Sequence, residues 1–490
     1  MSDEYILGVA TRFILNLEIA FYFITLLQWY NYSLFRVFFR HHKPLWHFWF
    51  FLLPVGIFIG LDILGLERYC IVVVGVLFVA LCSWRFSQDK PLKFTRRVIR
   101  FFILCFLFLA LDEALSFTFN TNTPISHILP LIFGHIVSKI YEFALVKQYK
   151  KMAAEKLERF NRLKIIAITA SYGKTSIKNY LRQILGAQYN VYATPRSVNT
   201  LVGIISDINK NLTYTTDIYV AEAGARQKGD IDEIAQFLNP QYAIIGEIGE
   251  QHLEYFKDIA NIVETKFELL HSNRLKKAYI YEKNPIPHDF ENKKPRNTEF
   301  YPAACRNVNA TLDGTTFELK IKDKWVEFET QILGTFNAHN IAVAVSVATE
   351  LGMKSEELVR AVRKLEPTEH RLQKIEMNQK LIIDDSFNGN LNGMLEAVRL
   401  ASLYNGRRVI VTPGIVESTK EANIKLAKKI DEVFDIAIIT GSLNAKVLSS
   451  HIKSTQKILL PSKESLETML KACTLPNDLV LFSNDAPSFI

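Results

Sequence analysis

Five apolar blocks dominate the first third of the chain, running roughly Ile6–Trp29, Leu45–Leu64, Tyr69–Trp84, Val98–Phe117 and Ile125–Leu145. Each approaches or reaches the roughly 20 residues that an α-helix needs to cross a bilayer. Hydrocarbon offers the backbone no water to bond with, so segments of this kind cross as helices that satisfy their own amides. The expectation is an α-helical transmembrane N-terminal part, residues 1–148, with about five spans. Block five carries His127, His135 and Lys139, and an interfacial helix is the competing reading there. Block one has no basic run before it, which argues against a cleaved signal peptide.

The basic residues sort by side. Arg36, Arg40 and Lys43 follow block one; Arg85, Lys90, Lys93, Arg96, Arg97 and Arg100 follow block three; Lys147, Lys150, Lys151 and Lys156 follow block five. The other connections carry no such excess. The positive-inside rule then puts the N-terminus outside and everything after block five in the cytoplasm. The protein reads as a multi-pass component of the bacterial inner membrane, with the lipid bilayer as partner. That placement accounts for the net charge of +8, so nucleic acid is not expected as a partner. Five scattered cysteines form no CxxC pair, which leaves neither a disulfide framework nor a zinc site. Residues 149–164 are charged with a helical period and read as an amphipathic linker.

At Ile165 the composition changes. IIAIT is strand-like, Ser171-Tyr172-Gly173 is a turn, and Lys174, Thr175 and Ser176 open an amphipathic helical run. In a strand-loop-helix of this type backbone N–H groups hold phosphates, a Lys reaches the outer phosphates and a Thr hydroxyl reaches Mg²⁺. The general pattern wants a Gly five residues before the Gly-Lys-Thr, and Ile168 stands there. On this stretch alone an ordinary strand-to-helix turn stays open. Further on, strand-like runs alternate with helical ones, which predicts a parallel doubly wound sheet with ligands at its carboxyl edge. Glu222 and His252 follow two such runs. Singly, each is an ordinary cap or surface residue; with Lys174 at the same edge they form a candidate phosphate and Mg²⁺ site. Beyond the linker-like EPTEH, the runs KLIIDDSF, RRVIVTPG, DIAIITGS, KILLPS and DLVLFS predict a second α/β domain with a Rossmann-like sheet.

Five stretches in order, ITASYGKTS, TPRSVNTLVGI, VAEAGARQKGDI, IGEQHLEYFKDIANIVETK and DDSFNGN, resemble the successive signatures of the Mur ligases, from about Ile165 to Val416. The resemblance implies a P-loop Mur ligase central domain at 165–366 that binds ATP, and a C-terminal Mur ligase domain at 367–490. It implies Lys174 on the β- and γ-phosphates, and Thr175, Glu222 and His252 around Mg²⁺. Lys266 falls where the family has a lysine carbamylated by CO₂, an anion able to hold a second Mg²⁺. Asn337 and Asn340 of LGTFNAHN, with Asp384, would meet the nucleotide, and Arg371 the transferred phosphate. Asn199, Asp385, Ser386 and Asn388 would face the substrate.

The sequence departs from the family at several points. Phe336 stands for a histidine, Ala170 for the first loop glycine, Tyr172 for a small residue or Asn, and VTPGIVEST for a Gly-Asp-x-x-Glu-Leu-Gly run. The implied reaction is ATP-dependent: a carboxylate of UDP-N-acetylmuramoyl-tripeptide becomes an acyl phosphate, and D-alanyl-D-alanine displaces the phosphate. The product would be a cytoplasmic peptidoglycan precursor. The family normally carries a soluble UDP-binding domain where this chain has its membrane part. That substitution would place the ligase beside membrane-associated cell-wall enzymes. The competing readings are a lipid-linked or other acyl acceptor, and an inactive membrane scaffold. Joint presence of Lys174, Thr175, Glu222, His252 and Lys266 argues against the scaffold.

Overall fold

The computed structural model describes all residues except 1–2, 31, 40, 42, 87, 89–90, 120–127, 197, 251–255, 303, 388, 417 and 486–490. Arg40, Lys90, His127, His252 and Asn388 therefore lie outside the described residues. The chain divides into two units, Met1–Gln148 and Tyr149–Ile490.

The first unit is helical. Helices Asp3–Trp29, Cys70–Phe86 and Arg96–Phe119 pack through Leu15, Ile19, Tyr22, Val74, Leu77 and Phe101, all buried. Their outer faces stay apolar too, with Val76, Phe78, Val79, Ile103 and Leu107 exposed. A helix that is hydrophobic all round is a core or membrane helix. Among the described residues four helices are long and apolar enough to cross a membrane: Tyr5–Trp29, Leu45–Ile63, Glu67–Phe86 and Leu129–Glu158. Block four, which the sequence reads as a further span, is a single helix too. That block forms the 24-residue helix Arg96–Phe119, which opens on Arg96, Arg97 and Arg100 and carries Asp112 and Glu113. Glu113 is matched from within the unit: Arg12 Nε donates to its Oε1 at 2.6 Å and Nη2 to its Oε2 at 3.0 Å. Such a bidentate pair is how an apolar helix bundle tolerates a carboxylate.

Residues 149–158 continue the helix Leu129–Glu158. Within the second unit, Lys156 Nζ donates to the carbonyls of Ile208 and Asn209 at 2.7 and 3.2 Å. These close the C-terminus of helix Leu201–Asn211, where a cation also complements the helix dipole.

The central sheet is parallel. Its strands are β1 Lys164–Thr169, β2 Val191–Ala193, β3 Ile218–Glu222, β4 Tyr242–Ile245, β5 Lys277–Tyr281 and β6 Thr298–Tyr301, in the order β2-β3-β1-β4-β5-β6. Both faces of β1 are covered, which its run of Ile and Ala requires. Register sets Ile168 beside Glu222 on one side and Ile244 on the other, so the ends of β1, β3 and β4 form one edge. The helix Lys174–Leu185 buries Ile177, Tyr180, Leu181, Ile184 and Leu185, a single stripe at helical spacing. An antiparallel sheet follows, β7 Cys305–Thr311, β8 Gly314–Ile321 and β9 Lys324–Thr330.

The C-terminal sheet holds β10 Gln373–Met377, β11 Lys380–Asp385, β12 Arg408–Thr412, β13 Ile436–Thr440, β14 Gln456–Leu460 and β15 Leu479–Ser483. Its order is β10-β11-β15-β12-β13-β14, parallel except for β10. Helices cover both faces through two apolar clusters, one around Ile383, Ile410 and Ile439, the other around Val409, Val411 and Ile438. The expected pair of α/β sheets is present.

Candidate active site

A cavity of about 480 Å³ opens where the carboxyl edge of the central sheet meets β11 and the segments beside it. Its wall carries Ser171, Tyr172, Gly173, Lys174, Thr175 and Ser176 from the loop after β1, then Asn199, Glu222, Lys266, Asn340, Arg371 and Asp385. The loop is shaped by Gly173, whose φ of +78° lies in the left-handed region that favours glycine. A Cβ there would stand 3.0 Å from Asn340 Oδ1. Gly173→Ala is expected to raise the KM for ATP at least about tenfold with the fold retained, since the strain falls on a loop. Steady-state phosphate release with a parallel thermal melt checks both halves.

Lys174 is turned back on its own loop, with Nζ donating to the carbonyls of Ala170 at 2.7 Å and Ser171 at 3.1 Å. Burial lowers its pKa to about 8, with Glu222 opposing and Arg371 adding to the shift. Ser171 and Tyr172 donate their amides to the Glu247 carbonyl at 2.8 and 3.1 Å, which pins the loop to the end of β4.

Glu222, buried at the end of β3, is held from several sides. Thr175 Oγ1 donates to its Oε2 at 3.0 Å, Asn199 Nδ2 to its Oε1 at 3.2 Å, and Lys178 Nζ lies 3.4 Å from Oε2. Thr175 and Glu222 thus present two hard oxygens to the cavity, the set Mg²⁺ takes beside phosphate and water. Among the described residues no three His, Cys, Asp or Glu side chains gather as a metal cage.

Lys266 comes from helix Ile259–Phe267 and is buried. Burial, and then the neighbouring Lys174, push its pKa well below the ordinary lysine value, against the pull of Glu222, Asp230 and Glu268. Arg371 lies over the Phe387 ring at 4.9 Å. Asp385 is buried too, and its pKa is pushed up to about 7 although Arg371 opposes the rise.

Three residues expected at the site stand off the wall. Asp384 and Asp385 are neighbours in β11, so their side chains leave opposite faces of the sheet. Asp384 Oδ2 is 2.7 Å from His370 Nδ1, and its Oδ1 accepts the Ser386 amide at 3.1 Å. It shapes the turn, and neither it nor Ser386 lines the cavity. Asn337 is likewise inside: it donates to the Leu333 carbonyl at 2.8 Å, and its Oδ1 accepts from Asn340 at 3.3 Å. It orients Asn340. His252 and Asn388 lie outside the described residues.

The wall also includes residues the sequence reading passed over, among them Glu247, Tyr281, Tyr301, His339, Phe387 and Asn392. A signal existed for one of them. Phe336, His339 and Asn340 fall at i, i+3 and i+4 on helix Thr335–Glu350 and share a face. His339 thus stands one turn from the Phe336 that replaces the family's histidine.

Fold and site together define an α/β enzyme with a strand-loop-helix on one sheet and a second sheet across the cleft. Residues 168–348 match the Mur ligase middle domain. The chain is 27% identical over 337 residues to UDP-N-acetylmuramoyl-tripeptide–D-alanyl-D-alanine ligase of Bacillus subtilis, covering 65% of this chain and 72% of that protein. It is 26% identical over 271 residues to the Escherichia coli protein of the same name, covering 53% and 59%. Among solved structures, MurF from Acinetobacter baumannii superposes with a TM-score of 0.62 at 22% identity, over 69% of this chain and 78% of that one. MurF ligase from Thermotoga maritima in complex with ADP gives 0.60 at 24%, over 69% and 80%. The chain thus carries a Mur ligase middle domain at residues 168–348.

Proposed function

We propose that the protein is an ATP-dependent amide ligase that adds D-alanyl-D-alanine to UDP-N-acetylmuramoyl-tripeptide, in the synthesis of the peptidoglycan precursor. The observation that carries the reading is Lys174, Glu222, Lys266, Arg371 and Asp385 converging on one cavity from separate elements. The names of the relatives support the substrates.

In this reading the loop amides and Lys174 Nζ hold the β- and γ-phosphates, replacing the carbonyls of Ala170 and Ser171 as the ammonium's partners. Thr175 and Glu222 would hold Mg²⁺, with His252 as a further ligand. A bound Mg²⁺ neutralises phosphate charge and polarises the transferred group. Lys266, once carbamylated, would offer an anion where the lysine now places an amine. Asn340, oriented by Asn337, would meet the base. Arg371 and Lys174 stabilise the charge that develops as the substrate carboxylate attacks the γ-phosphorus, the bond to the β,γ-bridging oxygen breaks and ADP leaves. The acyl phosphate then meets the dipeptide amine, phosphate leaves, and the amide forms. Asn199 and Asp385 line the wall toward the substrate, and a second cavity of about 580 Å³ shares Tyr172, Glu247, Gly389, Asn390 and Asn392 with the first. It offers room for a second substrate between the two sheets. We read the C-terminal sheet as Rossmann-like, on its five parallel strands.

The deciding experiment is phosphate release by the full-length protein in detergent with UDP-N-acetylmuramoyl-tripeptide, with and without D-alanyl-D-alanine. Release that depends on the dipeptide, with a product heavier by that dipeptide, supports the reading. Release without it points to another acyl acceptor, and no release revives the scaffold.

The apolar helices of the first unit support a multi-pass inner-membrane protein with its ligase in the cytoplasm and its N-terminus outside. A C-terminal tag is expected to resist protease added to intact spheroplasts and to be cut after lysis. Cleavage in intact spheroplasts would overturn this topology.

A further inference from the structure

Lys178 stands one helical turn after Lys174 yet takes no part in the cavity wall. Its side chain is 2% exposed, its ammonium donates to the Arg196 carbonyl, and it lies 3.4 Å from Glu222 Oε2. Glu222 is equally buried and does line the cavity. The carboxylate therefore has Lys178 behind it and the cavity in front. The same Oε2 accepts from Thr175, and Oε1 accepts from Asn199 on the loop that contains Arg196. Lys178 thus ties three segments to one carboxylate.

Burying an ion pair costs both partners their hydration, which mutual attraction repays only in part. Stability alone is a weak reason for such a pair, and its position behind a wall carboxylate supplies another. Lys174, Lys266 and Arg371 line the same cavity, and the field of Glu222 reaches each of them. A divalent cation approaching the nucleotide-free site meets one buried carboxylate already matched by Lys178, with Lys174 and Arg371 around it. Polyphosphate reverses that balance.

We propose that Lys178 is a positioning residue that acts as the counter-charge of Glu222. It keeps the affinity of the empty site for divalent cations low, so that metal is retained only together with nucleotide. The inference rests on the reading of Glu222 as a metal ligand given above. A positive charge 3.4 Å from the carboxylate oxygen opposes cation binding at that carboxylate even when the intervening medium is polar. Polyphosphate, carrying several negative charges, overrides it.

The test is Mn²⁺ binding to the full-length protein in detergent, followed by electron paramagnetic resonance with and without ADP. Wild type is expected to bind Mn²⁺ weakly without ADP. Lys178→Met and Lys178→Gln should bind at least about tenfold more tightly without ADP, and Mn²⁺ should raise their melting temperatures more than that of wild type. Lys178→Arg, which keeps the charge, should behave as wild type. Neutral variants that bind no more tightly than wild type, or an Arg variant that tightens as they do, would overturn the proposal. If the Met variant does not fold, the Gln and Arg variants carry the comparison. Glu222→Gln separates the two readings: loss of ADP-supported Mn²⁺ binding is required by the metal assignment, and its retention sinks that assignment whatever Lys178 does.

Discussion

Lys174→Ala is expected to lower ATP-dependent phosphate release by about 10²–10³-fold or more, the range seen when a charge-stabilising donor is removed from an active site. The structure says why the loss should be chemical rather than structural. The two carbonyls that Lys174 now satisfies belong to Ala170 and Ser171, on a loop that faces the cavity. Water can take over those bonds once the side chain is gone. The loop itself is held elsewhere, by the Ser171 and Tyr172 amides on Glu247 and by Ser171 Oγ on the Gly249 carbonyl at 3.0 Å. Lys174→Arg should not rescue: a planar guanidinium replaces a point charge that must bend back within a buried loop. Single-turnover phosphate release measures the effect, and a melting curve matching wild type shows that the fold survived. Turnover within tenfold of wild type would remove Lys174 from the site.

Much of this architecture was legible in the sequence, for reasons that are local. The stretch from Ile165 to Leu185 encodes its strand by an apolar run, its turn by Gly173 and its helix by an apolar stripe, so nothing distant is needed to read it. What stayed hidden depends on pairing across the chain. Asp384 and Asp385 are indistinguishable until the face of β11 that meets the cavity is known, and a one-residue parity decides between a turn residue and a wall residue. Lys178 reads as a solvated charge on a helix, because the carboxylate that buries it lies 44 residues further on, at the end of another strand. Glu113 reads as an interruption of an apolar block, because Arg12 is 101 residues away. Lys266 carried a role only through the family resemblance; its burial and the nearness of Lys174 are facts of the folded chain.

That surrounding leads to the second large effect. Lys266→Ala is expected to lose at least about 100-fold in phosphate release, and a short-chain carboxylate such as acetate or propionate should restore part of it. Burial and the nearby Lys174 hold the Lys266 amine well below the ordinary lysine pKa, which favours its uncharged form. An uncharged amine is the form that attacks CO₂, with its nitrogen bonding to carbon and a proton leaving to solvent. The resulting carbamate would be an anion in a cavity that already holds Lys174 and Arg371, and its field would stabilise both cations. Alanine would remove that anion and leave a gap beside Glu222 and Lys174 for a small carboxylate to enter and supply the same charge. Rescue should saturate with carboxylate concentration and be absent in wild type, where the gap is filled. It should also be absent in Lys174→Ala, where the missing group is a cation. A Lys266→Ala protein that is fully active, or dead and indifferent to every small carboxylate while still binding nucleotide, would show that the site needs no anion at that position.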